Sequence, residues 1–170
     1  RAQSFLWKHN SVIGVSLKRE KVASDVVIDA EGCSSVLLRT TKLQPLDRSM
    51  VVNAVQAEVD RIDDVDEDLV EVYLGQKIAP GLFAWVIPRR DGSAKVGLAT
   101  KSGNPKERLR YFLDHHPIAR KKLKKSRVVS LSYHPIPLGG PIPKTYYNGL
   151  LIVGGTASQV KPTTGGGIIM

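Results

Sequence analysis

Hydrophobic and polar positions alternate along much of this chain with the two-residue period of β-strands. "MVVNAVQAEVD" and "LVEVYLG" alternate in this way, so each predicts a strand with one wetter face. "SVIGVSLKR" and "ASDVVIDAEG" predict two strands joined by a short polar turn. The second of these has consecutive apolar residues, which is typical of a strand covered on both faces.

Four further strands are predicted from residue 81 onward. "GLFAWVIPRRDGSAKVGLAT" predicts a hairpin that turns at Arg90, Asp91 and Gly92. "RVVSLSYHPIPLG" predicts another strand, and "NGLLIVGG" predicts a turn followed by a fully buried strand. Strands therefore outnumber helices throughout.

Helical signals occur in two places. "CSSVLLRTTKL" predicts a short helix with Ser34 or Ser35 near its N-cap. In "NPKERLRYFLDHHP", Asn104 is a predicted N-cap and Pro105 occupies the first helical position. Pro117 should end this helix, and a second short helix should follow it. The fold class predicted from these elements is α+β, an antiparallel sheet with pieces of a neighbouring α/β layer.

The composition places few limits on function. The chain has 170 residues, of which 42% are hydrophobic, which is enough for a core. It begins with Arg1 and has no visible signal peptide, and we interpret it as an internal piece of a longer protein. Cys33 is its single cysteine, which excludes an internal disulfide and indicates the reducing cytoplasm. The histidines lack metal-ligand spacing, so no metal site is predicted.

Charge is distributed unevenly around a net value of +9. Acidic residues crowd into "EVDRIDDVDEDLVE" and basic residues into "ARKKLKKSR". Both runs are explained by solvated faces of a helix or loop. The alternative for the basic run is peripheral contact with an anionic membrane surface. The basic run has no interleaved aromatic residues, so a nucleic-acid partner is not predicted.

The segment "VGGTASQVKPTTGGGI", residues 153–168, has almost no bulky side chains and follows the buried strand. Its last glycines resemble the first turn of a helix, where N–H groups and a partial positive charge would face a ligand. Such a loop can hold an anion or a polar ring at the carboxyl end of a strand. A tight strand-to-helix connection is an equally good explanation from the residues alone.

The same segment resembles the second cofactor-binding segment of the flavin-dependent geranylgeranyl reductases. This family belongs to the superfamily that shares the p-hydroxybenzoate hydroxylase fold. The matching residues are Gly154, Ala157, Gln159, Pro162, Thr164, Gly165, Gly166, Gly167 and Ile168. "VVIDAEGCSSVLLR" resembles the family's Ala-Asp-Gly-x-x-Ser stretch, and "APGLFAWVIP" resembles its Pro-x-x-Tyr-x-Trp-x-Phe-Pro signature.

The resemblance implies an FAD-dependent oxidoreductase that reduces C=C bonds of geranylgeranyl chains in a membrane lipid or pigment precursor. It also implies an isoprenoid lipid substrate and an external electron donor such as NADPH or ferredoxin. The cofactor-binding residues that it implies are Glu31, Gly32, Gly154, Gly155, Thr156, Ala157, Pro162, Gly165, Gly166, Gly167 and Ile168. The substrate-binding residues that it implies are Pro80, Phe83, Trp85, Ile87 and Pro88. No catalytic residue is assigned.

The implied domain organisation has three segments. Residues 1–45 would belong to an FAD-binding α/β domain of the glutathione-reductase-like Rossmann type, and residues 146–170 would return to it. Residues 46–145 would form the antiparallel substrate-binding sheet. Phe83 and Trp85 lie two apart on a strand, so they share a face that is either an isoprenoid tunnel or an ordinary sheet core.

Three departures from the family pattern qualify these implications. Gly155 replaces the aspartate that usually hydrogen-bonds the FAD ribityl chain, and Glu31 replaces a shorter aspartate. The fingerprint GxGxxG is absent, so this piece alone should hold FAD weakly and be inactive. The alternatives are a monooxygenase, halogenase or electron-transfer dehydrogenase of the same superfamily, or a non-catalytic anion-binding module.

Overall fold

The computed structural model describes residues 1–167, which fold into two compact units. One unit comprises residues 1–51 and the segment from Ile136 onward, and the other comprises residues 52–135. The helices are α1 (Pro105–His115) and α2 (Ala119–Leu123). The strands are β1 (Ala2–Lys8), β2 (Ser11–Leu17), β3 (Lys21–Ala23), β4 (Val27–Asp29), β5 (Val51–Val59), β6 (Glu71–Leu74), β7 (Phe83–Pro88), β8 (Ala94–Thr100), β9 (Val128–Pro137), β10 (Tyr146–Tyr147) and β11 (Leu150–Ile152).

The first unit contains two three-stranded sheets. Strands β1, β2 and β3 pair in that order and are antiparallel. In the other sheet, β11 lies between β10 and β4 and runs parallel to β4, with Ile152 opposite Asp29. The core of this unit includes Val12, Leu38 and Leu150. The parallel pair positions the two glycine-rich loops, because the loops that follow β4 and β11 begin at the same edge of the sheet.

The second unit is built on an antiparallel sheet in the order β6-β7-β8-β5-β9. Alternate residues of β7 are buried, and Ala84 and Val86 pack in one core with Leu109 and Phe112 of α1. The helices therefore cover one face of the sheet, and the intervening residues of β7 point to the other face. Together with the first unit, this arrangement confirms the α+β class.

The predicted hairpin and the predicted long helix are both confirmed. Strands β7 and β8 are joined by a turn in which the Arg89 N–H donates to the Ser93 carbonyl at 2.8 Å. Helix α1 begins after Asn104, whose side chain accepts the Lys106 N–H at 2.9 Å. Pro117 follows α1, and α2 is the short second helix.

Replacing Asn104 by Ala removes this side-chain cap and leaves one N–H of the first turn without its partner. We expect Asn104→Ala to lower the free energy of unfolding by about 1 kcal/mol. Urea denaturation measures the change, and Asn104→Asp, which keeps an acceptor, is the control. An unchanged midpoint for Asn104→Ala would contradict the capping role.

The helix predicted over "CSSVLLRTTKL" is wrong. The structure has two 3-10 turns there, Gly32–Ser34 and Leu38–Thr40, with Ser35 between them at φ 47°. The Thr40 and Thr41 hydroxyls donate to carbonyls three residues back, at 2.7 Å each. Such local side-chain bonds compete with a continuous helix.

Two predictions for the first unit need correction. Within the run "ASDVVIDAEG", Ala23 ends β3 and only Val27–Asp29 forms a further strand, β4. Ile28 is 62% exposed, so β4 is not covered on both faces. Leu151 of β11 is also exposed, although Leu150 and Ile152 on either side of it are buried. Strand β1 was not predicted, because its apolar residues do not form a regular alternation.

Most charged residues of the acidic and basic runs are exposed to solvent, and two ion pairs join the runs. Lys122 forms an ion pair with Glu71, and the Lys125 ammonium lies 3.0 Å from the Asp63 carboxylate. Burial alone would raise the pKa of Glu71, but hydrogen bonds from Lys122 and Tyr73 and the Lys122 charge hold that pKa below its usual value. The pairing ties α2 to the sheet.

Removing the Glu71 charge should therefore destabilise the protein in a pH-dependent way. A lowered folded-state pKa contributes stability above the unfolded pKa, and this contribution is lost as the pH falls through the folded value. We expect Glu71→Gln to lower the free energy of unfolding by about 2 kcal/mol at pH 7, since Lys122 is left half-buried without its partner. The difference in unfolding free energy between the variant and wild type should shrink below pH 4. Urea denaturation at pH 7 and pH 3.5 measures it, and a constant difference would contradict the ion-pair origin.

Candidate functional site

The two predicted cofactor segments meet in the structure. Both follow the parallel pair of strands, one after β4 and the other after β11. The Thr156 hydroxyl donates to the Gly32 carbonyl at 3.1 Å. A Cβ atom added to Gly155 would lie 3.3 Å from Gly32 Cα and 3.4 Å from the Cys33 nitrogen. The structure therefore brings Gly32 and Gly155 into main-chain contact.

Open space lies beside two of these glycines. A Cβ atom added to Gly32 or Gly154 would meet no other atom within 4 Å. Both residues have left-handed backbone conformations, with φ of 75° and 62°. Glycine adopts this conformation without strain and lets a bound group approach the main chain directly. The edge of the parallel pair thus has the form of a shallow main-chain cradle.

Asp29 lies at the base of this cradle, and sequence analysis missed it. Its side chain is buried, with the residue 5% exposed. Oδ1 accepts the Glu31 N–H at 3.1 Å, whereas Oδ2 has no hydrogen-bond partner among the residues that the structure describes. Burial raises the pKa of the Asp29 carboxyl, and the Glu31 N–H partly offsets this. The signal in the sequence was an acidic residue that ends an apolar strand in "VVIDAEG".

Glu31 forms hydrogen bonds within its own loop. Its Oε1 accepts the N–H groups of Leu37 and Leu38 at 2.7 and 3.1 Å. These bonds hold the second 3-10 turn against the first loop, so the carboxylate has a structural role in this chain. Its use as a cofactor ligand remains a prediction.

The triple glycine also forms hydrogen bonds within its loop. The Gly165 N–H donates to the Lys161 carbonyl at 2.9 Å, and the Gly166 N–H donates to the Thr164 hydroxyl at 3.3 Å. Gly165–Gly167 are not helical, so the predicted helix start does not include them. Ile168 lies outside the described residues. Of the other predicted cofactor residues in this loop, Thr156 and Ala157 are buried and Pro162 is exposed.

The predicted substrate residues are divided between the two faces of the second unit's sheet. Phe83, Trp85 and Ile87 are half-buried and share the face that α1 and α2 do not cover. Pro88 is buried on the opposite, helix-covered side, with Val86. Pro80 precedes the strand, and its carbonyl accepts the Lys101 N–H at 2.9 Å. Only the first three residues, hereafter the aromatic face, come together.

Trp85 is held by its neighbours on adjacent strands. Its indole N–H donates to the Gln56 side-chain oxygen at 3.3 Å, and its ring lies edge-on to Phe83 with centroids 6.0 Å apart. Gly97 is its cross-strand partner on β8 and leaves the space that the indole occupies. Gln56 has no signal in the sequence, because its role depends on pairing between distant strands.

Two exposed apolar residues of β6 extend the aromatic face to the edge of the sheet. Val72 pairs with Trp85 and Leu74 pairs with Phe83, and they are 54% and 76% exposed. Side chains directly opposite in an antiparallel pair are on the same side of the sheet. The result is a continuous apolar surface in the second unit, suited to contact with a hydrocarbon chain.

His116, directly after α1, packs against other aromatic residues. Its ring contacts Tyr73 edge-on at 4.8 Å, and Nδ1 accepts the Ala119 N–H at 3.2 Å. Burial lowers the pKa of His116, which favours the neutral ring that this acceptor role needs. Among residues 1–167, no group of side chains has the composition of a metal site. None of the helices in that range is long and apolar enough to cross a membrane.

The fold is that of flavin-dependent enzymes. Flavin-dependent brominase Bmp2 is similar over 99% of this chain and 46% of its own, with a TM-score of 0.78 and 14% sequence identity. The geranylgeranyl bacteriochlorophyll reductase-like protein of Thermoplasma acidophilum is more similar. It has a TM-score of 0.86 and 30% identity over 98% of this chain and 44% of its own.

Sequence comparison gives the family. The geranylgeranyl reductase catalytic domain matches residues 51–134. Digeranylgeranylglycerophospholipid reductase of Methanosarcina acetivorans is 33% identical over 99% of this chain, and that of Methanocaldococcus jannaschii is 32% identical over 88%. The chain belongs to the geranylgeranyl reductase family. It spans 43% and 38% of the lengths of these two relatives.

Proposed function

We propose that this chain is part of an FAD-dependent reductase that saturates C=C bonds of geranylgeranyl chains on a membrane lipid. The observation that carries the proposal is the aromatic face, a half-exposed apolar surface on a sheet whose other face is filled by helices. A surface of this kind binds an isoprenoid chain through apolar contact without needing polar groups. The names of the relatives agree with such a substrate.

The residues of the first unit fit an FAD molecule. The open space beside Gly32 and Gly154 would let the main chain contact the cofactor closely. The cofactor would supply, when reduced, the hydride that saturates the alkene. The protein's share of the chemistry is to hold the isoprenoid chain in a fixed orientation and to exclude water from it. Phe83 and Trp85 would do this in the second unit.

The test uses the purified full-length protein. We expect it to carry FAD, visible as a yellow colour that dithionite bleaches. We also expect it to convert a digeranylgeranylglycerophospholipid to saturated products that gain about 2 Da in mass spectrometry for each reduced bond. Product analysis with and without oxygen separates this activity from a monooxygenase or halogenase, which need oxygen. A colourless protein would contradict the proposal and favour a non-catalytic module.

The proposal extends to a peripheral membrane contact through α2, which lies on the sheet face opposite to the aromatic face. Arg120 and Lys121 are exposed on this helix, and Lys124 is exposed directly after it. We expect Lys121→Gln to weaken binding to anionic vesicles by about 1 kcal/mol, since each basic residue near such a surface contributes about that amount. Vesicle co-sedimentation at low salt measures the effect.

Lys125→Gln is the matched control, because it removes the same charge from a residue already paired with Asp63. We expect it to have the smaller effect. Equal effects of the two variants would contradict a localised contact through the exposed side chains of α2.

A further inference from the structure

Among residues 1–167, the buried carboxyl oxygen Oδ2 of Asp29 has no hydrogen-bond partner. A buried carboxylate oxygen is normally hydrogen-bonded, because leaving it unsatisfied costs much of its desolvation free energy. Oδ1 of the same group is satisfied by the Glu31 N–H at 3.1 Å, so the side chain is held in place with its second oxygen unused. Oδ2 could therefore accept a hydrogen bond from a donor that is not part of residues 1–167.

The strand register places this acceptor beside the glycine contact. Asp29 lies opposite Ile152 in the parallel pair, and the Val153 N–H donates to the Asp29 carbonyl at 3.0 Å. The loops that follow these two strands are in contact three residues further on, at Gly32 and Gly155. Asp29 therefore ends β4 three residues before the point where the two loops are in contact.

Position 155 cannot supply an acceptor of its own, because it is glycine. A side chain there would press on the main chain of Gly32 and Cys33, at 3.3 and 3.4 Å from its Cβ atom. The first distance is slightly tighter than ordinary van der Waals contact and the second is at its lower edge, so an aspartate at position 155 would require a small shift of the neighbouring main chain. The Asp29 carboxyl is already in place on the adjacent strand.

We propose that Asp29 is a cofactor-binding residue whose free carboxylate oxygen accepts a hydrogen bond from a sugar hydroxyl of FAD, replacing the acceptor that Gly155 lacks. This inference rests on the proposed function. The ionised form of Asp29 is disfavoured by burial and, to a smaller extent, by the nearby Glu31 carboxylate, and both raise the pKa of Asp29. A hydroxyl donor to Oδ2 would relieve that cost, so the residue is one that a ligand stabilises.

The experiment titrates FAD into wild-type, Asp29→Asn and Asp25→Asn forms of the full-length protein and follows the quenching of flavin fluorescence. Asp25→Asn is the matched control, since Asp25 is exposed and lies on the same segment. We expect Asp29→Asn to weaken FAD binding at least tenfold, as loss of a hydrogen bond to a charged acceptor does. We expect Asp25→Asn to leave the dissociation constant within about twofold of wild type.

Thermal unfolding of the FAD-free proteins is the second measurement. We expect Asp29→Asn to unfold at the same temperature as wild type or at a higher one, because it removes a buried ionisable group. An unchanged FAD affinity overturns the proposal. A joint fall in FAD affinity and unfolding temperature for Asp29→Asn also overturns the proposal, because Asp29 then has a structural role. If the wild-type protein binds no FAD, both the proposed function and this inference fail, and that result is distinct from the two outcomes above.

Discussion

In the full-length protein, Trp85→Ala should lower kcat/KM for the geranylgeranyl lipid about 50-fold while the FAD content stays at the wild-type level. The indole is half-buried, and the part that faces away from the helices is available to a hydrocarbon chain. Loss of about 100 Å² of apolar contact corresponds to about 2.5 kcal/mol of transition-state binding. The effect falls on substrate use alone, because Trp85 and the glycine loops belong to different units.

Trp85→Phe is the matched control for this prediction. It keeps an aromatic side chain of smaller area and removes the hydrogen bond to Gln56, which is 3.3 Å long and therefore weak. We expect kcat/KM to fall about threefold. Steady-state kinetics with the lipid in detergent and the absorbance ratio of flavin to protein measure the two properties. A parallel loss of flavin and activity in Trp85→Ala would show that the tryptophan stabilises the fold.

Gly97→Ala should lower the free energy of unfolding by about 3 kcal/mol and impair substrate use as well. The new methyl group would lie 2.6 Å from Trp85 Cζ2 and 2.7 Å from the Val55 carbonyl oxygen. The indole can rotate away, but the Val55 oxygen belongs to the neighbouring strand, so the sheet itself has to shift. The displaced indole would then no longer offer the same surface to the substrate.

Gly92→Ala is the control for Gly97→Ala, because it introduces backbone strain without steric crowding of the new methyl group. A methyl group at Gly92 meets no atom within 4 Å, but the residue has φ of 77°, so only strain remains. We expect Gly92→Ala to lower the free energy of unfolding by about 1 kcal/mol. Chemical denaturation of both variants measures the difference. If Gly97→Ala proved no more destabilising than Gly92→Ala, the close packing of Trp85 on β8 would not be a determinant of stability.

The local elements that sequence analysis predicted well depend on neighbouring residues. The turn at Arg90–Gly92 and the cap at Asn104 are chosen by side chains within a few residues, so their signals are present in a short stretch. The helix predicted near Ser35 fails for the same kind of reason. Serine and threonine hydroxyls there bond to nearby carbonyls, which propensity alone does not reveal.

The contacts at the candidate sites depend on residues far apart in the sequence. Trp85 meets Gln56 and Gly97 only because three strands are paired in one register. Asp29 faces the loop after Ile152 only because β4 and β11 run parallel. No periodic pattern encodes these pairings, since each strand would alternate in the same way beside a different neighbour.

By itself, the sequence determined the α+β class, the hairpin and helix, the family and the segments that carry its motifs. Those properties follow from local alternation, caps and short motifs, which are read along one stretch of chain at a time. Only the tertiary structure decided that Glu31 is used within its loop, and that Asp29 has an oxygen with no partner among the described residues. The physical reason is that burial and hydrogen-bond satisfaction are properties of what surrounds a side chain, and strand pairing sets those surroundings.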